Sequence, residues 1–284
     1  MQQGFKKPHK RKLTLLMAML AVLTVFLAAC SNKPITEHST GIWDGLVILN
    51  FSRAIIWLAN FFGNSYGMGI IAFTLIIRII ILPLMIYQSK TMLKTQELQP
   101  ELKKLQQKYP GKDNESRMQM QKEQQKLYAQ AGVNPFAGCL PIAVQMPILI
   151  ALYQAIWRTQ ELRTGDFLWL KLGSQDPYFI LPILAAAFTL ISSWLAMASS
   201  PEQNGMTKAM TFGMPLIIFG TALTVPSALS LYWVVSNAFQ VVQTWFIQNP
   251  FKINAARAAK KSAEKTRQRK IDKAKRVATK GRKK

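Results

Sequence analysis

Residues 71–87 read IAFTLIIRIIILPLMIY, an apolar run with a single cation, Arg78, near its middle. About 20 apolar residues in a helix cross the ~30 Å hydrocarbon core of a bilayer, and four further stretches of this kind follow. Spans are predicted at 67–87, 135–157, 178–198, 208–225 and 227–247. Inside hydrocarbon every backbone N–H and C=O has to be satisfied by the chain itself, so such stretches cross as helices. The predicted fold class is an all-α polytopic membrane protein: five transmembrane helices, a cytoplasmic helical hairpin and an outer amphipathic helix.

The segments between the spans set the orientation. The net charge of +23 comes from 36 Lys and Arg against 13 Asp and Glu. Such an excess by itself fits nucleic-acid binding, but here it sits in blocks between apolar runs, as the positive-inside rule describes. Residues 88–134, Lys208 and the tail 248–284 hold 25 basic residues, and the cytoplasmic loop 199–207 holds none. The predicted outer segments hold five: Lys33, Arg53, Arg158 and, in the outer loop 158–177, Arg163 and Lys171. Five crossings then run from a mature N-terminus outside the cell to a C-terminus in the cytoplasm.

Residues 1–12, MQQGFKKPHKRK, carry five positive charges and no acid, and the apolar LTLLMAMLAVLTVFLAA follows, ending at Cys30. A basic start, an apolar middle and small residues before a cut make a secretory signal. The sequence LAAC resembles the bacterial lipobox. That implies removal of residues 1–29 and a diacylglyceryl and N-acyl lipid on Cys30, in the plasma membrane of a bacterium. Acyl chains add anchoring to a protein that already spans the bilayer, so Cys30 serves lipidation and not catalysis. Within the extracytoplasmic segment 30–66, GIWDGLVILNFSRAIIWLANFFGNS reads as an amphipathic helix on the outer surface. Counting it as a span would invert the charge bias.

Residues 88–134 are rich in Glu, Gln, Lys, Leu and Met, all good helix formers, and Pro110-Gly111 interrupts them with a turn signal. Two antiparallel helices of about 20 residues would project ~30 Å into the cytoplasm at ~1.5 Å per residue. The tail from 251 holds 15 basic residues against Glu264 and Asp272. It is predicted to be disordered in isolation, with a field that attracts anionic lipids or RNA.

An arginine at the centre of a span costs from about 3 to over 10 kcal/mol, depending on how it is measured. No Asp, Glu or His lies in the five predicted spans, and Lys208 sits at an edge. Proton relays and cation-coupled transporters use intramembrane carboxylates or histidines, and voltage sensors use several arginines at regular spacing, so the sequence weighs against those classes. Arg78 is expected in a water-filled indentation lined by polar residues. Thr74 lies one turn before it, Gln145 and Gln154 come from the second span, and Ser192 and Ser193 from the third. The fourth offers Thr211 and Thr221, and the fifth Ser236, Asn237, Gln240 and Gln243. The predicted groove is Arg78 with Thr74, Gln145, Ser192, Ser193, Ser236 and Gln240. A hydrated cationic groove attracts an anionic group supplied from outside the chain.

Two other classes remain in view. A small-anion channel would use Arg78 for selectivity and needs a continuous pore. An intramembrane hydrolase needs a Ser–His pair, paired aspartates or zinc within the spans. His9 leaves with the signal, His38 lies outside the membrane, and Cys30 and Cys139 form no metal-spaced cluster. No GxxxxGK[ST] pattern is present. No catalytic residue, metal, cofactor or small-molecule substrate is expected.

The stretches NPFAGCLPIAVQMPILIALYQAI and LSLYWVVSNAFQVVQTWFIQ resemble the signature second and fifth helices of the YidC/Oxa/Alb membrane-insertase family. Arg78 falls where that family has its groove arginine in the first helix, and a helical hairpin follows, as here. The resemblance covers residues 41–250. The lipobox and the lack of a large outer domain resemble the Gram-positive branch. The resemblance implies a five-helix core whose groove opens to the cytoplasm and to lipid and is closed outside. Nascent membrane proteins would enter with a short hydrophilic end in the groove, the arginine drawing in acidic residues. Their apolar part would then slide into lipid. It also implies work beside the Sec translocon and binding to ribosomes, for which the basic tail is suited. Pro83, Pro141 and Pro147 are expected to kink their helices.

Overall fold

The computed structural model describes residues 33–111, 113–134, 140–201 and 205–281. Cys30, the signal segment and Cys139 lie outside the described residues. The described chain is helical apart from one small β-hairpin, and it divides into two compact units.

The first unit comprises residues up to Thr74, Ile142–Tyr178 and Thr224–Tyr232. Helix α1, Ile42–Phe61, begins as a π-helix over Ile42–Ile48 and continues as an α-helix from Leu49. It stops where Gly63 and Asn64 turn left-handed, at φ 68° and 64°; these are the two residue types that adopt this conformation at least cost. Helix α2, Tyr66–Glu97, follows, with Pro83 inside it. The two helices approach closely at Gly69, where a Cβ would lie 2.6 Å from the Ile55 carbonyl oxygen and 3.0 Å from the Ala59 Cβ. Ile48, Ile55, Ile70, Leu152 and Leu172 fill the interior.

Helix α5, Leu140–Arg158, carries Pro147 and runs into the short helix α6, Gln160–Thr164. Between α2 and α5 in the chain come α3, Gln99–Lys108, and α4, Asn114–Gln130, described with the second unit. After α6, strands β1, Asp166–Phe167, and β2, Leu170–Lys171, pair antiparallel with Phe167 opposite Leu170. This hairpin, in what reads from sequence as a plain outer loop, is joined to the start of α9, Ser227–Ile247. The Ala228 amide donates to the Leu172 carbonyl at 3.1 Å, and the Ser227 hydroxyl to the Lys171 carbonyl at 2.6 Å. Gly67 makes room for the hairpin, since a Cβ there would meet the Phe167 ring.

The second unit comprises Leu75–Pro141, Phe179–Leu223 and Trp233 onward. Helix α3, Gln99–Lys108, packs on α4, Asn114–Gln130. Asp113 caps α4, accepting a 2.9 Å hydrogen bond from the Ser116 amide. That bond holds its carboxyl below the usual range. Helix α7, Ile180–Ala198, packs against α8, Gly205–Ala222, which contains Pro215.

The tail differs from its sequence expectation of disorder: Pro250–Gly281 forms helix α10, 32 residues long. Its Ala, Lys, Arg, Glu and Gln residues have high helix propensity, and no Gly or Pro interrupts them before Gly281. Its foot is held as well. Asn254 Nδ2 donates to the Ala198 carbonyl at 2.9 Å, and Arg257 Nη1 to the Ser199 carbonyl. These side chains satisfy carbonyls left open at the end of α7 and place a cation at its negative pole.

Among the described residues, three helices are long and apolar enough to cross a membrane: Ile42–Phe61, Tyr66–Glu97 and Ile180–Ala198. The first is the segment that sequence placed on the outer surface. It buries Ser52, Ile55 and Ala59 on one side yet also exposes Ile42, Leu46, Trp57 and Phe61. Helix α9 is diluted by Ser236, Asn237, Gln240 and Gln243. Large apolar side chains face outward along the second unit: Ile80 is 66% exposed, Leu216 72% and Phe246 79%. Apolar faces of this extent are incompatible with water and suit lipid.

Candidate functional site

The second unit contains a recess of about 260 Å³ whose polar lining includes Gln88, Gln96, Ser192, Ser193, Gln240 and Gln243, with Met85 and Met92 as apolar wall. Met85, Gln88, Met92 and Gln96 recur every three or four residues, so one face of α2 supplies them. Ser192 and Ser193 come from α7, Gln240 and Gln243 from α9. Ser192 Oγ donates to the Thr189 carbonyl at 3.0 Å, and Gln240 Nε2 to Thr244 Oγ1 at 3.2 Å. Asn237 joins α9 to α7, donating to Thr189 Oγ1 at 2.7 Å and to the Ala185 carbonyl at 3.2 Å.

Several polar atoms here are buried with no hydrogen-bond partner: both amide atoms of Gln88, Oε1 of Gln96 and Oε1 of Gln243. Ser236 Oγ, in the same unit, is another. Each such atom costs about 1–3 kcal/mol unless water or a guest supplies the bond. Arg78 belongs to this unit and is 8% exposed. Gln88 follows it by ten residues on α2, about 15 Å along the helix.

The structure therefore brings Ser192, Ser193 and Gln240 to one recess, and places Arg78 and Ser236 as buried residues of the same unit. Thr74 and Gln145 belong to the first unit. Thr74 is 1% exposed and donates to the Ile70 carbonyl of its own helix at 2.6 Å. Gln145 Nε2 donates to the Tyr232 hydroxyl.

Sequence reasoning missed Arg158, which it counted as an outer-loop charge. Arg158 Nη1 and Nη2 donate to the two carboxylate oxygens of Asp44 at 2.9 and 2.6 Å. Its Nε donates to the Lys33 carbonyl at 2.7 Å, and Nη1 also reaches Gln154 Oε1 at 3.0 Å. Trp43 Nε1 donates to the same Gln154 oxygen at 3.2 Å. Gln154 thus serves this clamp. The signals were present in the sequence: Gln154 and Arg158 lie one turn apart, and Asp44 is the one acid in Ile42–Phe61. Among the described residues no three His, Cys, Asp or Glu side chains converge as metal ligands.

Outward apolar faces around a polar recess define a helical membrane protein. The 60Kd inner membrane protein family model matches residues 57–255, and the chain belongs to that family of bacterial membrane proteins. It is 64% identical over 253 residues to "Membrane protein insertase YidC 2" of Lactiplantibacillus plantarum, covering 89% of this chain and 91% of that one. It is 53% identical over 275 residues to "Membrane protein insertase YidC" of Enterococcus faecalis, covering 97% and 99%. A crystal structure described as an active YidC insertase with its first transmembrane domain resolved superposes with a TM-score of 0.58 at 28% identity. The match covers 72% of this chain but 47% of that one, so this chain spans about half its length.

Proposed function

We propose that this chain is a membrane protein insertase that accepts nascent membrane proteins in a hydrated groove centred on Arg78. The observation that carries the reading is the polar recess of the second unit, whose buried unpartnered amides call for water or a guest. The names of relatives sharing up to 64% identity support it. A substrate's hydrophilic end enters between lipid and protein. Arg78 attracts its acidic residues and lowers the cost of moving them through a low-dielectric region. Ser192, Ser193, Ser236 and Gln240 keep the path polar. The apolar segment then passes along outward faces such as Ile80 and Phe246 into lipid, and its transfer out of water drives the step. No bond is made or broken, so the protein acts as a chaperone and not as an enzyme.

The rest of the reading follows the charge pattern. Five spans carry the chain from an outer N-terminus, lipidated at Cys30, to a cytoplasmic C-terminus, with α3 and α4 forming the cytoplasmic hairpin. The basic helix α10 meets ribosomes or anionic lipid, and the protein works alone or beside the Sec translocon. The test is complementation: cells depleted of their own insertase and supplied with this chain should regain growth and membrane insertion. Failure to restore either, with the protein present in the membrane, contradicts the reading.

A further inference from the structure

We infer that the glutamine-lined recess grips the main chain of a passing polypeptide, bonding its peptide N–H and C=O groups whatever the side chains. The inference rests on the insertase reading and adds a second subsite to it. Each glutamine amide offers two donors and an acceptor oxygen with two lone pairs, the same groups a peptide bond presents. Gln88, 3% exposed, leaves both its donor nitrogen and its acceptor oxygen open, and Gln243, 5% exposed, leaves its oxygen open. An extended backbone supplies the complement of both kinds along its length.

The lining carries no formal charge. An ion entering it would lose hydration without a counter-charge, and an apolar guest would leave the amides stranded. A neutral, hydrogen-bonding guest satisfies them. Met85 and Met92 complete the wall with flexible, polarizable side chains that tolerate varied neighbours. About 15 Å away along α2, Arg78 favours one sign of charge. The two subsites divide the work: the arginine selects tails by charge, and the recess holds any tail by its backbone.

The test uses the full chain in phosphatidylethanolamine–phosphatidylglycerol liposomes. Two semisynthetic single-span substrates differ only in an uncharged tail of equal length. One tail repeats Ser-Gly; the other repeats Ser-sarcosine, in which N-methylation removes half the N–H donors. The wild-type protein is expected to insert the sarcosine tail about three-fold or more less. The double variant Gln88→Leu/Gln243→Leu is expected to insert the Ser-Gly tail about five-fold less and to treat the two tails alike. Its Tm should equal or exceed the wild-type value, because an unsatisfied amide has been replaced by an apolar group. A fall in Tm parallel to the fall in insertion would assign the glutamines a structural role and overturn the proposal. Equal insertion of both tails by the wild type, or full insertion by the double variant, would overturn it as well. A wild-type protein that inserts neither tail would instead overturn the insertase reading itself.

Discussion

Arg158 holds Asp44 through two parallel hydrogen bonds, of 2.9 and 2.6 Å, with the guanidinium side chain only 2% exposed. The pair fastens the first turns of α1 to the end of α5, and the Lys33 carbonyl on Nε adds the preceding strap. Taking the carboxylate away leaves a buried cation without its counter-charge, which costs about 3–5 kcal/mol. Asp44→Asn is expected to lower the thermal unfolding midpoint in detergent markedly. Replacing both partners with apolar residues, Asp44→Leu with Arg158→Met, should cost less than the single change.

Gly67 lies against the Phe167 ring, with no room for a methyl group. Gly67→Ala is expected to destabilise the protein by about 1–3 kcal/mol through overpacking. Because the obstacle is a side chain, adding Phe167→Ala should recover part of that loss. At Gly69 the obstacle is the Ile55 carbonyl, so no side-chain change should rescue Gly69→Ala. Unfolding curves of these three variants and wild type check both statements.

The cap on α4 gives a pH dependence. Asp113 has a carboxyl held below its ordinary range by the Ser116 amide. Its contribution is therefore complete above the unfolded-state pKa of about 3.9 and lost as pH falls through the lower folded value. The protection of the amides at residues 115–117, measured relative to their intrinsic exchange rates, should fall as the pH drops through that acidic window. Asp113→Asn keeps the cap without ionising, and its exchange protection should stay flat across the same interval.

Helix α10 presents basic residues outward beyond a foot pinned by Asn254 and Arg257. Truncation after Ser262 keeps the foot and removes eleven basic residues. It should leave the unfolding midpoint unchanged and weaken ribosome co-sedimentation, with a shallower salt dependence. Unchanged co-sedimentation would leave the tail as a topological signal.

What the sequence made legible and what it hid separate along physical lines. The apolar runs around 71–87 and 180–198 were readable because span length follows bilayer thickness. The polar stripe of α9 was readable because 3.6-residue periodicity sets Gln240 and Gln243 on one face. Arg158 was not, because its partner lies 114 residues away at Asp44, and a loop cation looks the same whether paired or solvated. The bond of Gln145 to Tyr232 was likewise hidden, because it joins different helices that spacing along one span does not connect, and Gln154 meets Arg158 at a helix end that read as loop. Helix α10 was misread because charge density suggested disorder, while uninterrupted helix formers favour helix and Asn254 and Arg257 tie its foot to the end of α7. The recess face of α2 extends past the predicted end of the span at 87, so Gln88 and Gln96 were read as connector and not as lining.

The central claim is that Arg78 lowers the barrier for acidic segments. Purified protein in liposomes should be given a single-span substrate whose tail carries either two aspartates or two asparagines, with insertion measured by protease protection. Arg78→Ala is expected to cut insertion of the aspartate tail by about ten-fold or more and that of the asparagine tail by less than about two-fold, with Arg78→Lys in between. Equal insertion of the aspartate tail by wild type and Arg78→Ala would contradict the account.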